Sequence, residues 1–427
     1  MQNYLLGKKE LREEILKKYV IIKNLTDIDG TIKEQGHIDM PDKMTLGVEL
    51  EIIGPASDYL YGTLIKGFNG DRDSTIQDEK YPGVEITSPI LKSNNIDDVL
   101  GVAKQLVMLG QSTNKSCGGH IHIGSKYLDV KDDERKTNVQ ATKIVWKSFL
   151  EMWKNCEEIM YKITTRASEE HRGIEFAKPI ASKIEKMLQC DDAEMNVYQY
   201  KEMIKMVQTE EEPIVDERYF SVNFTNLNLG KNTIEFRLAN GTIDSQELKA
   251  NIELFIAFVD ISRRIGIVRY KEESKSELTP KEYELLKKYR KVCLKQEISE
   301  EEKKNELLDM LFEPDKRNIY NERYEKSTFD IEKEEQKSKN IERQTQDVYG
   351  APLSDEELEQ IEGKYDFEDI NARNKIKFNE NDLDELIEEV QNERKNVFME
   401  LWERIINWRQ NRRGEEKQKK DEEIERF

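Results

Sequence analysis

The chain has 427 residues, with 87 acidic against 68 basic side chains, a net charge of −19 and a pI near 5.0. That balance argues against a nucleic-acid-binding surface spread over the whole molecule. A charged fraction of 36% and a mean hydropathy of −0.81 predict a soluble chain, and 37% hydrophobic residues still allow a sizeable core.

The first residues, MQNYLLGKKELREEILKKY, hold no apolar run of signal-peptide length. No window approaches the roughly 18 uncharged apolar residues of a membrane span. Cys117, Cys156, Cys190 and Cys293 are scattered without CxxC spacing and read as reduced thiols, so a cytoplasmic setting is expected. Asp27-Ile-Asp-Gly-Thr31 copies a phosphatase nucleophile motif, but no βαβ alternation follows it, and the stretch reads more simply as a turn. No phosphate-binding P-loop or dinucleotide fingerprint is present.

Glycine usage divides the chain: of 21 glycines, all but Gly350, Gly363 and Gly414 lie at or before Gly266. Strand-like runs share that division. We therefore expect an N-terminal extension over 1–40, a mixed α+β domain over 41–270 and a charged helical region over 271–427. The first strand, TLGVELEII, sets Glu49 and Glu51 on one face and Val48, Leu50 and Ile52 on the other. Carboxylates so placed offer hard oxygen ligands to Mg²⁺, although a half-exposed strand in an acid-rich chain has the same pattern. Gly62–Gly70 is a glycine-rich stretch that suits a lid or an ordinary loop. Glu85 interrupts a second strand, GVEITSP, and Pro89 ends it or marks an edge.

A helix is predicted over 96–109, ended by Gly110. Ser116-Cys-Gly-Gly-His-Ile-His-Ile-Gly124 then places two of the four histidines, His120 and His122, on one face of a strand flanked by glycines. Such a pair can bind zinc or iron, associate with Mg²⁺ or Mn²⁺, or bond phosphate oxygens. The stretch 133–163 shows a helical stripe of Val139, Trp146, Phe149, Leu150, Trp153, Cys156, Met160 and Ile163, whose aromatics read as core. RYFSVNFTNL and NTIEFRLANGTI are further strand-like runs. The second pairs Glu235 with Arg237 on one face, a salt bridge or a phosphoryl clamp.

Asp244-x-x-Glu247 opens a predicted helix to Gly266, and Thr279-Pro280-Lys-Glu282 opens another. Residues 325–347 are almost wholly polar; Ser354–Glu357 repeats the capping pattern, and Leu383 to Trp408 carry an amphipathic face. This tail reads foremost as a packing or oligomerisation appendage, through which a homo-oligomer or a protein partner would form.

The order Glu-x-Glu, Asp73-Ser-Thr-Ile76 with Val84-Glu-Ile-Thr-Ser-Pro89, Cys-Gly-Gly-His-x-His and Glu-x-Arg-x-x-Asn-Gly-Thr resembles the amidoligase family, a branch of the glutamine synthetase and glutamate–cysteine ligase group. The resemblance runs from about Thr45 to Gly266; Ser74 stands where the family pattern has glycine. It implies an antiparallel sheet with helices on one face and an open active face. It further implies that Glu49, Glu51, Glu85, His120, His122 and Glu235 hold divalent cations, Mg²⁺ or Mn²⁺. His120, His122 and Arg237 would meet ATP, with Arg237 on the transferred phosphoryl group and Asp73 a candidate base.

The implied activity is an ATP-dependent carboxylate–amine ligation through an acyl phosphate, with small-molecule or peptide acids and amines as substrates. Two other classes fit the same residues: a non-catalytic scaffold on a degenerate ligase domain, and a His-x-His metalloenzyme with tightly bound zinc or iron.

Overall fold

The computed structural model describes residues 36–337, apart from 61, 64, 133, 166–173, 191–193, 211, 213–216 and 296–297. The Asp27–Thr31 turn, the capping pattern at Ser354 and the Leu383–Trp408 face lie outside the described residues. Among the described residues, no helix is long and apolar enough to cross a membrane.

Seven strands form one open sheet in which every pair is antiparallel, ordered β2-β3-β4-β1-β5-β7-β6. They are β1 Leu46–Ile52, β2 Gly62–Thr63, β3 Asn69–Arg72, β4 Val84–Thr87, β5 Gly118–Gly124, β6 Val222–Asn223 and β7 Thr233–Asn240. The helices are α1 Asp98–Met108, α2 Val139–Thr164, α3 Ala181–Gln189, α4 Val197–Thr209, α5 Ser245–Glu273, α6 Pro280–Cys293, α7 Glu300–Leu311 and α8 Pro314–Lys326. This is the expected α+β class, with helices on one face of an antiparallel sheet.

Strand alternation explains the two faces. Val48, Leu50, Ile52, Val84, Ile86, Ile121, Ile123, Ile234 and Phe236 are buried on the helix side. Phe236 meets Phe255 of α5 at 4.5 Å between ring centroids and Trp153 of α2 at 5.2 Å. The aromatics predicted as core are core: Trp146, Phe149 and Trp153 are fully buried. Val139 departs from the predicted stripe. It is the first residue of α2, just after the Asn138 N-cap, and is exposed.

Caps begin the long helices where sequence patterns place them. Asp244 accepts from the backbone N–H groups of Gln246 and Glu247, and Thr279 forms a complete capping box with Glu282 behind Pro280. Helices α6, α7 and α8 lie against α2 or α5 and share their apolar core. Tyr320 of α8 donates to the Ala250 carbonyl of α5 at 3.1 Å.

Two expectations change. Gly62–Gly70 is not a free loop, because Gly62 pairs with Gly70 to make the β2–β3 edge of the sheet. The run Phe220–Leu227 contributes a strand of only two residues: the Phe224 N–H turns away to the Gln208 side chain at 2.7 Å.

Where α2 and α5 cross, Gly266 lets the backbones approach: a Cβ there would stand 2.4 Å from the Val145 Cα. Gly266→Ala should therefore lower unfolding free energy by about 2 kcal/mol in urea titration. Gly230→Ala, whose added carbon meets nothing within 4 Å, should change it by less than about 0.5 kcal/mol.

Candidate active site

The face opposite the helices is built by register. Glu49 lies across from His120, Glu51 across from Glu85, and His122 across from Glu235. Three adjacent strand pairs thus bring six ionisable side chains into one patch. Between Gly119 and Ile121 the β5–β7 register shifts: β5 advances two residues while β7 advances from Phe236 to Ala239. Arg237 sits in the resulting bulge, a device that re-aims a side chain.

Glu49, Glu51, Asp73, Glu85, His120, His122, Glu235 and Arg237 all line one pocket of about 140 Å³. Every site residue expected from sequence is there. Glu49 is the hub: its Oε2 lies 3.1 Å from His120 Nδ1 and its Oε1 2.9 Å from His122 Nε2. His120 Nε2 is 3.4 Å from Glu51 Oε1, and Glu51 Oε2 accepts the Gly118 N–H at 2.6 Å. Glu235 receives Arg237 Nη1 on Oε1 and Asn223 Nδ2 on Oε2, the latter at 2.8 Å. Asp73 accepts both the N–H and the hydroxyl of Thr75 on Oδ1, each at 2.7 Å.

These contacts drive the protonation states apart. Burial and the neighbouring carboxylates of Glu49, Glu51 and Asp73 push Glu85 up to about 8. Burial also opposes charge on Glu49, but His120 and His122 outweigh it and hold the carboxylate well below its usual range. Burial resists charging His122, yet Glu49 and Glu235 raise its value. Glu235 is lowered against its burial, chiefly by Arg237.

The donor set suits divalent cations. Three groups of side chains can bring ligand atoms within 4.8 Å of one another: Glu49 with Glu85 and His120, Glu49 with His122 and Glu235, and Glu51 with Asp73 and Glu85. His122 Nε2 is buried without an aligned hydrogen bond although it lies 2.9 Å from Glu49 Oε1. A nitrogen and an oxygen so close can also share a cation. The protonated Glu85 fits too, since a cation would replace its proton.

Residues 65–259 match the model of a family described as "Putative amidoligase enzyme". Over these residues the chain is similar to the amidoligase family. No curated protein matches the chain. The amidoligase match contains Asp73, Glu85, His120, His122, Glu235 and Arg237, but begins after β1. Glu49 and Glu51 therefore enter the site from a strand outside the match, which the fold inserts between β4 and β5.

Other side chains complete the pocket, among them Asn223, Asn226, Lys231, Arg218 and Tyr219. Asn223 had a readable signal, because Ser221-Val-Asn223-Phe repeats the polar alternation of the other site strands. Lys231 and Arg218 had none. Both come from turns, and Lys231 reaches Glu49 at 3.5 Å only because the β6–β7 turn folds over the sheet.

Glu85 should titrate near pH 8 in the metal-free protein, read from its carboxyl NMR shift and assigned with Glu85→Gln. Its folded value stands above its ordinary 4.5, so the stability it contributes is complete at low pH and lost as pH rises through 8. Urea titrations from about pH 5 to about pH 8 should show a decline that is smaller in Glu85→Gln.

Proposed function

We propose that this protein is an ATP- and Mg²⁺-dependent carboxylate–amine ligase that forms an amide or isopeptide bond through an acyl phosphate. The observation that carries this reading is the meeting of Arg237 with three cation-suited clusters in one pocket on an open sheet face. The family description supports ligase chemistry, and the donor set supports the cations.

Bound Mg²⁺ or Mn²⁺ would neutralise phosphate charge and polarise the transferred group. Glu49, Glu51, Glu85 and Glu235 are the oxygen donors for it, and the imidazoles of His120 and His122 extend the set towards Mn²⁺. Asp73 is both a candidate cation ligand and a candidate base.

The chain's own work is to place charge. A carboxylate is a poor electrophile until its oxygen becomes a leaving group, and phosphorylation achieves that with little covalent help from protein. Arg237 is the group for the developing phosphoryl charge. Glu235 takes its Nη1 and the Phe176 carbonyl its Nε at 3.4 Å, and Nη2 has no protein hydrogen bond among the described residues. That nitrogen is the one to meet a phosphoryl oxygen. The incoming amine must lose a proton. Asp73 is the acceptor we assign, through Oδ2, because Thr75 occupies Oδ1 twice. The substrates would be acids and amines of small-molecule or peptide size, meeting on the open face.

Incubation with ATP, Mg²⁺, hydroxylamine and a panel of carboxylic acids should trap a hydroxamate and release ADP. Glu49→Gln and Arg237→Ala should each lower kcat at least about a hundredfold while the protein remains folded. ADP release at the parent rate in both variants would remove the assigned roles.

A further inference from the structure

Behind the pocket, on the helix side of the sheet, stands a buried carboxyl that the proposed chemistry does not use. Glu157 of α2 is 3% exposed. Its Oε1 accepts from the Ser221 hydroxyl and from the Ile180 N–H at 2.8 Å, and its Oε2 accepts the Ala181 N–H at 3.1 Å. Trp153 Nε1 adds a 3.4 Å approach to Oε1. A buried carboxyl with this many donors is a knot between chain segments.

The segments it joins are those that hold Arg237. One runs from the turn Ile174–Phe176 to the start of α3, and the other is 219–221. They pair with each other through the Lys178 N–H to the Tyr219 carbonyl at 2.7 Å and the Ser221 N–H to the Lys178 carbonyl at 2.8 Å. From the first, the Phe176 carbonyl receives Arg237 Nε. From the second, the Ser221 carbonyl accepts the Arg237 backbone N–H at 2.9 Å, and the Tyr219 ring lies 5.4 Å below the guanidinium. Arg237 sits in a bulge, where the sheet ladder constrains it least. Its direction therefore depends on these two segments. Glu157 ties both to the helical layer, beside Tyr161 of α2, which donates to the Ala177 carbonyl, and Trp153, whose Nε1 lies 3.3 Å from the Ser221 hydroxyl.

We propose that Glu157 is a positioning residue that fixes the direction of the Arg237 guanidinium by clamping the 174–181 and 219–221 segments to α2. This inference rests on the ligase reading for its consequence, since a correctly aimed Arg237 is what phosphoryl transfer would need. The clamp itself is a statement about Arg237's mobility and can be measured without any reaction.

The test uses the full chain, isotope-labelled at arginine. The Nε–H resonance of Arg237 is assigned by its absence in Arg237→Lys, and its exchange with solvent is timed by NMR. Glu157→Ala should speed that exchange at least about tenfold, whereas Glu157→Gln, which keeps an acceptor oxygen, should hold it within about twofold. Unchanged exchange in a folded Glu157→Ala protein overturns the proposal. If that variant does not fold, Ser221→Ala takes its place. It removes the hydroxyl that reaches Glu157 and should speed exchange about threefold, and no change there overturns the proposal equally.

In the hydroxamate assay, Glu157→Ala should lower kcat about thirtyfold with KM for ATP within about twofold, and should cost less than about twofold more in an Arg237→Lys background. Losses that add in full overturn the link to Arg237. A parent protein that forms no hydroxamate removes the ligase reading instead, and leaves the exchange comparison to decide the clamp by itself.

Discussion

Five carboxylates share one small, largely buried patch of sheet, and their mutual repulsion is the constraint around which the rest is arranged. Like charges in a medium of low polarisability raise one another's energy far more than in water. The fold relieves this in three ways. Burial and the neighbouring carboxylates raise Glu85 to about 8, which favours its neutral form. Glu49 and Glu235 are matched with basic groups, the first with two histidines and Lys231, the second with Arg237. Glu51 is fixed by a backbone N–H, which has no charge to lose. The residual negative charge is what suits the pocket to divalent cations.

A patch of this kind is unstable in any other register. Moving β1 by one residue against β5 would turn Glu49 and Glu51 onto the helix face, among Phe236, Trp153 and Phe255. Burying two unpaired carboxylates there would cost more than a small domain can tolerate. The aromatic layer on α2 and α5 is thus the reason the acidic face is reproducible. Stability on one side of the sheet specifies chemistry on the other. The outlying helices α6 to α8 contribute on the same side, thickening the layer that holds the register.

How much of this was legible beforehand follows from which interactions are local. The i, i+2 pairs on β1, β5 and β7 were readable because strand alternation is a property of a few consecutive residues. The helix starts at Asn138, Asp244 and Thr279 have local causes too; the last two carry cap patterns in the sequence, while Asn138 lies inside the helical stretch expected over 133–163. Cross-strand partnership was not readable: nothing near Glu51 in sequence says that it faces Glu85 rather than another strand. The Arg237 bulge was equally hidden, because it is a mismatch between two strands more than a hundred residues apart. Arg218 and Lys231 were missed because turn residues are exposed by default, and only their return over the pocket gives them meaning. The brevity of β6 shows the reverse error, a strand-like sequence whose continuation is drawn off by Gln208.

The central position of β1 bears on how the site works as a unit. Glu49 belongs to two of the three cation-suited groups and contacts both histidines, so a change in charge at one group alters the others directly. Glu85 links a third group in the same manner. The strand that brings this hub lies outside the amidoligase match. Its place in the site is set by burial of Val48, Leu50 and Ile52 between β4 and β5. The apolar half of β1 thereby determines where its charged half acts.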